Sequence, residues 1–337
     1  MQFSFDEEQR EFAGLVNDYL EQNFSARALR QQWEHGGHAN SDLLSSLAEL
    51  GIMAPAIPEE FEGLGRDGLD LPLAFEAFGY YGVAETVAFT SGVVAPFLVR
   101  YAAPETKRRW LPQIAQGRVL CTVQLEGDSL SIGASTADLF LIVRNGQVHL
   151  VAREQARVTD AVTQDPTLAL GEVEAEVGAE TLVSDAPGAV EYLQSLIRSA
   201  VSSILVGISQ RLLDSAREYM LVREQFGRVI GSFQSLKHRM ADTVVQIEAA
   251  RSLSWYAHYS HVHDDAHHLT AANMAKSAAS VAAHSANYTA LQHHGGIGFT
   301  WEHDLHMWLQ RGYALERMFG TADELRAALG AHYLERL

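Results

Sequence analysis

The feature that most constrains the fold is an apolar stripe at helical spacing in the second half of the chain. It runs from Val190 to Ala216, about seven turns, and repeats aliphatic side chains every three or four residues. A helix of that kind must bury its apolar side against other helices. A second long helix is predicted from about Phe233 to His258, and the alanine- and serine-rich stretch Leu269–Gln292 is typical of closely packed helices. A last helix is predicted to begin near Thr321 or Asp323.

The first part of the chain is also predicted to be helical. Asp6 is placed to cap a first helix, and Ser41 or Asp42 to begin another that ends near Gly51. A loop rich in proline and glycine follows at 55–65, and two or three further helices run to Gly117.

A small β domain is predicted between these helical parts. Strand-like segments at Leu139–Val143 and Val148–Val151 flank Asn145-Gly146, a dipeptide that favours the type I′ turn of a β-hairpin. Further short strands are predicted at Thr167–Leu170 and Thr181–Val183. The fold class is therefore mainly α with a small β domain, and the predicted domains are an N-terminal helical domain (1–117), the β domain (118–187) and a C-terminal four-helix bundle (188–337).

Composition excludes several classes of function. The 337 residues include 25 basic and 42 acidic side chains, and the net charge of −17 argues against nucleic acid or an anionic membrane as the main partner. Cys121 is the only cysteine, so a disulfide framework is excluded. The polar, acidic start is unlike a signal peptide, and no apolar run approaches the ~18 residues of a membrane span. We expect a cytoplasmic protein without a membrane span.

The segment Arg223–Gln234 carries the first candidate site. It places the Arg223 guanidinium, the Gln225 amide and the Phe226 ring where one predicted helix gives way to the next. A guanidinium can bind a pyrophosphate through two hydrogen bonds, an amide can reach hydroxyls or phosphates, and a ring can cover an aromatic system. This set suits an anionic, planar dinucleotide. The alternative reading is a helix break with a charged face.

A second cassette, Gln292–Phe299, is followed by Phe319-Gly-Thr321, and the three motifs in this order resemble the C-terminal half of the flavin-dependent acyl-CoA dehydrogenases. Two N-terminal segments, Pro58–Gly65 and Thr106–Pro112, resemble that family as well, so the likeness covers nearly the whole chain. In the family, a general base removes the α-proton of an acyl thioester while a hydride leaves to the flavin.

The resemblance implies FAD as the cofactor and assigns its contacts residue by residue. In this family each flavin lies across a dimer interface, so these residues would serve a cofactor held mainly by the neighbouring subunit. The implied cofactor-binding residues are Arg223, Gln225, Phe226, Gln234, Gln292, Gly295, Gly296, Thr321 and Asp323.

The chain departs from the family where the catalytic base should be. The position of the usual glutamate is Phe319, and the alternative position used by a minority of the family is Ile197. Neither side chain can accept a proton, so no catalytic residue is assigned. Glu316, one helical turn before Phe319, is a rescue candidate, as are Asp304 and His293, although each is more simply a solvated or capping residue.

Other departures concern the β domain. The threonine–glutamate–proline turn of the family is replaced by Gln124-Leu-Glu-Gly-Asp-Ser, and no tryptophan lies between Trp110 and Trp255 to cover a flavin. Arg198, beside Ile197, is a candidate for contact with acyl-CoA or with a helix terminus. The histidines and aspartates of 261–268 lack a closed four-ligand pattern, so no metal site is predicted.

Three hypotheses remain open. The chain resembles the short, base-less subunit of heterotetrameric bacterial acyl-CoA dehydrogenases similar to those acting on steroid side chains. Its partners would then be a homologous base-bearing subunit, acyl-CoA, and an electron-transfer flavoprotein or similar acceptor. The second hypothesis is a self-sufficient homo-oligomeric dehydrogenase with an atypical base. The third is a non-catalytic scaffold or regulatory subunit without flavin.

Overall fold

The structure, a computed structural model, describes residues 4–34 and 41–334 of the chain. Residues 1–3 of the polar start, together with 35–40 and 335–337, lie outside the described residues. In the described part, the helices that precede the strands are α1 (Glu7–Asn23), α2 (Ala26–Glu34), α3 (Ser41–Glu49), α4 (Leu71–Tyr81), α5 (Glu85–Phe89), α6 (Ala95–Tyr101) and α7 (Pro104–Ala115).

The N-terminal cap of α1 is confirmed. The Asp6 carboxylate accepts a hydrogen bond from the Gln9 N–H at 2.8 Å, and the Gln9 side-chain oxygen accepts one from the Asp6 N–H at 3.0 Å. This reciprocal pair is a capping box, which satisfies N–H groups that the first turn leaves without partners. The predicted helix start at 41 is confirmed as well, since α3 begins at Ser41.

The middle of the chain contains six strands: β1 (Cys121–Gln124), β2 (Leu139–Arg144), β3 (Gln147–Ala152), β4 (Ala156–Asp160), β5 (Gly171–Ala175) and β6 (Leu182–Ser184). A four-stranded sheet has the order β1-β2-β3-β6, and β4 and β5 form a separate pair. In the sheet β1 is parallel to β2, and the pairs β2/β3 and β3/β6 are antiparallel. Asn145 and Gly146 join β2 to β3 with φ of 52° and 73°, which confirms the predicted type I′ turn.

The predicted strand at Thr167–Leu170 is wrong. Pro166–Leu168 forms a 3₁₀ turn instead, and the Asp165 carboxylate accepts a hydrogen bond from the Thr167 N–H at 2.9 Å. Proline in the first position presets φ for a helical turn, and aspartate before it caps that turn. The extended backbone begins only at Gly171, where β5 pairs with β4.

The rest of the chain is helical apart from one small hairpin. The apolar stripe is one helix of 34 residues, with Ile197, Val201, Ile204 and Leu205 fully buried. The 13-residue helix Leu305–Arg317 was not predicted. The elements are α8 (Ala189–Val222), β7 (Glu224–Gln225), β8 (Arg228–Val229), α9 (Gln234–Val262), α10 (His268–His294), α11 (Leu305–Arg317) and α12 (Ala322–Leu334).

Helix α8 is also the one helix of the described residues that is long and apolar enough to cross a membrane. However, 83% of its most apolar window is buried inside the protein, as in the core helix of a globular fold. Core helices pass the same length and composition test, so this feature is weak evidence for a span.

The described residues pack as two compact units. One comprises the residues up to Ala74 together with Val83–Ala200, and the other comprises Phe75–Gly82 together with the residues from Val201 onwards. The element type changes from helix to strand between α7 and β1, and back to helix between β6 and α8. The division into three domains at 117/118 and 187/188 stays a prediction.

Within the second unit, α4 and α8 touch backbone to backbone. A Cβ added to Gly79 would lie 2.0 Å from the carbonyl oxygen of Ile204, and one added to Gly207 would lie 1.9 Å from that of Glu76. Both distances are far below a van der Waals contact, so only glycine fits at either position. The crossing therefore fixes the place of α4 in this unit, where the Glu76 carboxylate accepts hydrogen bonds from Arg251 and Trp255.

Candidate functional site

The Arg223–Gln234 segment forms a β-hairpin between α8 and α9. Strands β7 and β8 pair Glu224 with Val229 and Gln225 with Arg228, which leaves Phe226-Gly227 as a two-residue turn. Their φ values are 57° and 77°, as a type I′ turn requires. A phenylalanine seldom adopts positive φ, because its Cβ crowds the backbone. The predicted helix break is thus a specific turn, and it presents a ring that is 91% exposed at its tip.

The polar groups of the hairpin stand on a fixed backbone. The Arg223 N–H donates to the carbonyl of Tyr219 at 2.9 Å, and the Arg223 carbonyl accepts from the Ile230 N–H at 2.8 Å. The side chains of Arg223 and Gln225 are exposed. Main-chain hydrogen bonds therefore fix the backbone from which these two exposed side chains project.

Sequence reasoning missed a second guanidinium in this hairpin. Arg228 lies over the Phe233 ring at 4.2 Å from its centroid, and the Phe226 ring meets Phe233 edge-on at 6.1 Å. The signal was present in the sequence, since Arg228 follows Phe226-Gly227 directly. Its place on an aromatic face depends on the hairpin, which was not predicted.

The second cassette is the C-terminal end of α10. Gly295 ends this helix with φ of 64°, and its N–H donates to the carbonyl of Leu291. A Cβ on Gly295 or Gly296 would meet no atom within 4 Å, so the backbone of both glycines faces open space. Gln292 is exposed beside them. Bare backbone of this kind allows a ligand to approach the main chain closely.

The fold brings these two cassettes together at one end of the second unit. Tyr219, in the last turns of α8, stacks on His294 at 4.6 Å between ring centroids and 24° between planes. At the start of α9, Arg239 lies 4.8 Å from the centroid of the Tyr288 ring on α10. Because α9 and α10 run antiparallel, Gln234 at the start of α9 lies at the same end as Gly295.

Two buried histidines support this end of α10. Burial lowers the pKa of His293, and Arg239 lowers it further, while backbone carbonyls oppose the shift. Burial also lowers the pKa of His294, whose Nδ1 is 2.8 Å from the Ala290 carbonyl. Both imidazoles are thus held neutral, and the carbonyl contact identifies Nδ1 as the protonated nitrogen of His294. His293 is a core residue here and not a solvated one.

Thr321 and Asp323 lie elsewhere. Thr321 caps α12, since its hydroxyl oxygen accepts from the Glu324 N–H at 3.3 Å. The Thr321 N–H and hydroxyl donate in return to the Glu324 carboxylate at 2.8 and 2.9 Å, and these bonds lower the pKa of Glu324. The carbonyl of Ala322 accepts from Ser277 on α10. Ser277 precedes Gln292 by 15 residues, which is about 22 Å along a helix. Within one chain, these two predicted contacts are therefore separate from the other seven.

The two base positions are apolar and inaccessible. Phe319 is 8% exposed and has φ of 59°, and Ile197 is fully buried on α8. Arg198, next to Ile197, is half-buried, and burial lowers its pKa. Among the described residues, no group of three or more histidine, cysteine or acidic side chains could hold a metal ion.

A cavity of about 640 Å³ lies beside the Phe319 turn in the second unit. Glu316 lines it with a side chain that is 11% exposed, and its Oε2 is 3.4 Å from Nδ1 of His284. Of the rescue candidates, Glu316 thus borders a cavity, whereas Asp304 precedes α11 and His293 lies in the last turn of α10. The lining residues are Gln246, Ser280, Val281, His284, Ser285, Tyr288, Glu316, Arg317, Thr321, Ala322, Asp323 and Arg326.

The donor set at the joined cassettes fits a dinucleotide. It combines the Arg223 guanidinium and two exposed amides with the open backbone of Gly295-Gly296 and the presented Phe226 ring. A guanidinium binds phosphate oxygens, backbone without side chains allows their close approach, and the ring offers a face to a base.

Known proteins of the same fold identify the family. Protein-family models for the acyl-CoA dehydrogenase N-terminal and C-terminal domains match residues 6–118 and 194–334. Acyl-CoA dehydrogenase IpdE2 of Mycobacterium tuberculosis is 32% identical over 289 residues, which cover 85% of each chain.

Two solved structures share the fold over nearly their whole length. A chain of the ChsE4-ChsE5 complex from Mycobacterium tuberculosis matches with a TM-score of 0.88 at 23% identity, covering 99% of both chains. The FAD complex of PigA matches with a TM-score of 0.87 at 19% identity, covering 100% of both. The predicted fold class is confirmed, and the predicted cofactor is the one that PigA binds in that complex. The chain belongs to the acyl-CoA dehydrogenase family.

Proposed function

We propose that this chain is a subunit of an FAD-dependent acyl-CoA dehydrogenase that introduces an α,β double bond into an acyl-CoA thioester. FAD, when bound, supplies the hydride acceptor for this reaction. The chain contributes the pyrophosphate and adenosine contacts, and a homologous partner subunit contributes the general base.

The observation that carries the proposal is an asymmetry between the two halves of the site. Phe319 and Ile197 fill both base positions with buried apolar side chains, which can neither remove nor return a proton. The hairpin tip and the Gly295-Gly296 backbone, in contrast, are open, and the exposed guanidinium and amide donors lie beside them. A chain that only formed a scaffold would gain nothing from a strained, exposed phenylalanine at the tip.

Each residue of the joined cassettes has a role in holding the cofactor. The Arg223 guanidinium binds the pyrophosphate, and the absence of side chains at Gly295 and Gly296 lets the phosphate groups approach the backbone closely. Gln225 and Gln292 supply amides for hydroxyl or phosphate oxygens. The ring of Phe226 covers the adenine, because an aromatic face stacks on any base.

The rest of the flavin site belongs to the partner. No tryptophan lies between Trp110 and Trp255, so the β region of this chain offers no indole to cover an isoalloxazine. The partner therefore provides the flavin cover, the base and most of the acyl-CoA pocket, and an electron-transfer flavoprotein or similar protein accepts the electrons. The likeness to a chain of the two-component ChsE4-ChsE5 complex supports such a pairing.

The test is to express the chain alone and together with any homologous dehydrogenase chain encoded beside it. We expect flavin absorbance and dehydrogenation with an artificial electron acceptor in the co-expressed preparation only. In that complex Arg223→Ala should release FAD, whereas Arg217→Ala, an exposed arginine on α8 outside the cassette, should retain it. A yellow, active protein from this chain alone would contradict the heteromeric proposal, and assembly without flavin would favour a scaffold.

One observation favours a second candidate, the self-sufficient dehydrogenase. Glu316 borders the 640 Å³ cavity one helical turn before Phe319, and its carboxylate is the acidic group nearest to the base position in sequence. If the chain alone is active, Glu316→Gln should abolish turnover while FAD stays bound. Unchanged turnover in that variant would exclude Glu316 as the base.

A further inference from the structure

The turn that joins α11 to α12 is held by a lysine that lies wholly inside the protein. Lys276, on α10, is fully buried. Its ammonium group donates to the carbonyl of Glu316 at 3.3 Å, to the carbonyl of Gly320 at 3.2 Å and to the Ser280 hydroxyl at 2.9 Å. The two carbonyls flank Phe319, so one side chain ties both sides of the residue at the base position.

Two neighbouring hydroxyl groups on α10 also donate hydrogen bonds to this turn. Ser277 donates to the carbonyl of Ala322 at 3.2 Å, and Ser280 donates to the carbonyl of Glu316 at 3.4 Å. Lys276, Ser277 and Ser280 lie within one helical turn of one another and share a face. The turn 316–322 is thus bonded to α10 at its start, its middle and its end.

This arrangement costs free energy of folding, so we expect it only where the turn must keep one shape. A buried ammonium group loses its hydration, and Phe319 at φ of 59° is in a region that bulky residues avoid. Strain of this kind persists only where surrounding contacts over-determine it. The ammonium recovers part of the cost because it sits at the C-terminal end of α11, where the helix dipole is negative.

We propose that Lys276 is a positioning residue: it fixes the Phe319 turn so that Thr321 and the first turn of α12 are presented to FAD. This inference rests on the proposed function. It explains why the turn is strained and firmly held although its residue at the base position cannot act as a base. The turn keeps a binding role after losing the catalytic one.

The test uses the flavin-containing complex and compares two variants. Lys276→Met removes all three donors while keeping the length and apolar stem, and Lys276→Gln returns amide donors. We expect Lys276→Met to weaken FAD retention about tenfold, or about 1.4 kcal/mol, to change the flavin absorption band, and to speed hydrogen exchange in 316–322. Lys276→Gln should partly restore FAD retention, the flavin absorption band and slow hydrogen exchange. Ser277→Ala should change the same three measurements in the same direction as Lys276→Met, but by less. This variant keeps the inference testable if Lys276→Met does not fold.

Asn287→Ala is the matched control. Asn287 is also fully buried on α10 and donates to an α11 carbonyl, that of Leu309, but it lies away from the turn. It should lower the melting temperature while leaving the flavin band and FAD retention as in the wild type. A general packing defect would instead affect both variants alike.

The outcomes separate the two proposals. If wild-type complex holds FAD and Lys276→Met holds it equally well with an unchanged band, the positioning role is overturned while the proposed function stands. If no preparation of the wild type holds FAD, the proposed function fails, and with it the FAD role of Lys276. Hydrogen exchange in the chain without FAD then tests whether Lys276 fixes the turn. Exchange in 316–322 that is unchanged in Lys276→Met would overturn this structural role as well.

Discussion

Replacing Phe226 by asparagine is expected to separate cofactor binding from stability. The ring occupies the first position of a type I′ turn with φ of 57°, and it is 91% exposed. Asparagine is favoured in that conformation, and Asn145 occupies the same position of the β2–β3 turn with φ of 52°. Phe226→Asn thus converts the hairpin tip into a turn sequence that this chain already uses.

The structure sets the size of the stability change. A bulky residue at positive φ costs about 1–2 kcal/mol, and asparagine recovers most of this. Loss of the edge-on contact with Phe233, at 6.1 Å, costs at most about 0.5–1.5 kcal/mol, and less for a ring so exposed. The two terms nearly cancel, so we expect a free energy of unfolding within about 1 kcal/mol of the wild type.

The same substitution should weaken FAD binding by more than it changes the free energy of unfolding. Stacking of an aromatic side chain on a base contributes about 1–3 kcal/mol, so its loss weakens FAD binding by about 5- to 150-fold. FAD release from the purified complex is followed by flavin fluorescence, and unfolding by circular dichroism. Phe226→Tyr keeps the ring and should retain FAD. Val162→Asn removes a fully exposed apolar side chain of the other unit and should change neither quantity.

Two results would refute the reasoning. FAD retention equal to that of the wild type in Phe226→Asn would mean that the ring does not stack on the cofactor. A loss of several kcal/mol of stability would mean that the ring is a structural contact of the hairpin and that its strain has a local cause.

Three further predictions concern burial and charge. Arg251→Met leaves the Glu76 carboxylate, 2.8 Å from the guanidinium and 15% exposed, without its cation, and should cost about 3–5 kcal/mol of unfolding free energy in chemical denaturation. Because burial lowers the pKa of His293 and His294 below the ordinary 6.5, the unfolded chain binds more protons than the folded one as the pH falls through and below 6.5. Stability present above that pH should therefore be lost towards pH 5, and glutamine at both positions should flatten the melting-temperature profile there. Phe319→Glu in the chain alone should produce no dehydrogenation with an artificial acceptor, because the flavin cover is missing too; turnover would show that the base was the only defect.

Much of the fold follows from local chemical signals. Asp6, Asn145-Gly146 and the apolar spacing of α8 each act over a few residues, and each prediction is confirmed. The predicted strand at Thr167–Leu170 is wrong because Asp165-Pro166, directly before this largely apolar segment, stabilises a 3₁₀ turn. Signals that bear on the same backbone compete, and here the cap prevails over the β propensity.

The α8–α9 hairpin shows why part of the candidate site could not be predicted. Phenylalanine before glycine is not a usual type I′ sequence, so nothing local indicates a hairpin at Phe226-Gly227. The α11 helix was detectable, since Leu305, Trp308 and Leu309 have helical spacing and are buried.

Lys276 illustrates a contact that only the fold reveals. It lies in an alanine- and serine-rich helix, where a lysine normally reaches solvent, and its carbonyl partners are 40 and 44 residues away. The sequence contains no pattern that links these positions. A buried ammonium becomes intelligible only once α10 and the turn after α11 are seen side by side.

The backbone contact between α4 and α8 has a consequence for the gene. The stretch Phe75–Gly82 packs on the bare backbone of α8 at Gly207, and its Glu76 pairs with Arg251. A polypeptide beginning at 188 would leave this surface of α8 uncovered and the arginine without its carboxylate. The C-terminal helices are thus not a unit that recombination can move by itself. Fission or exchange of this gene can succeed only if the codons for that short helical stretch travel with the 3′ half.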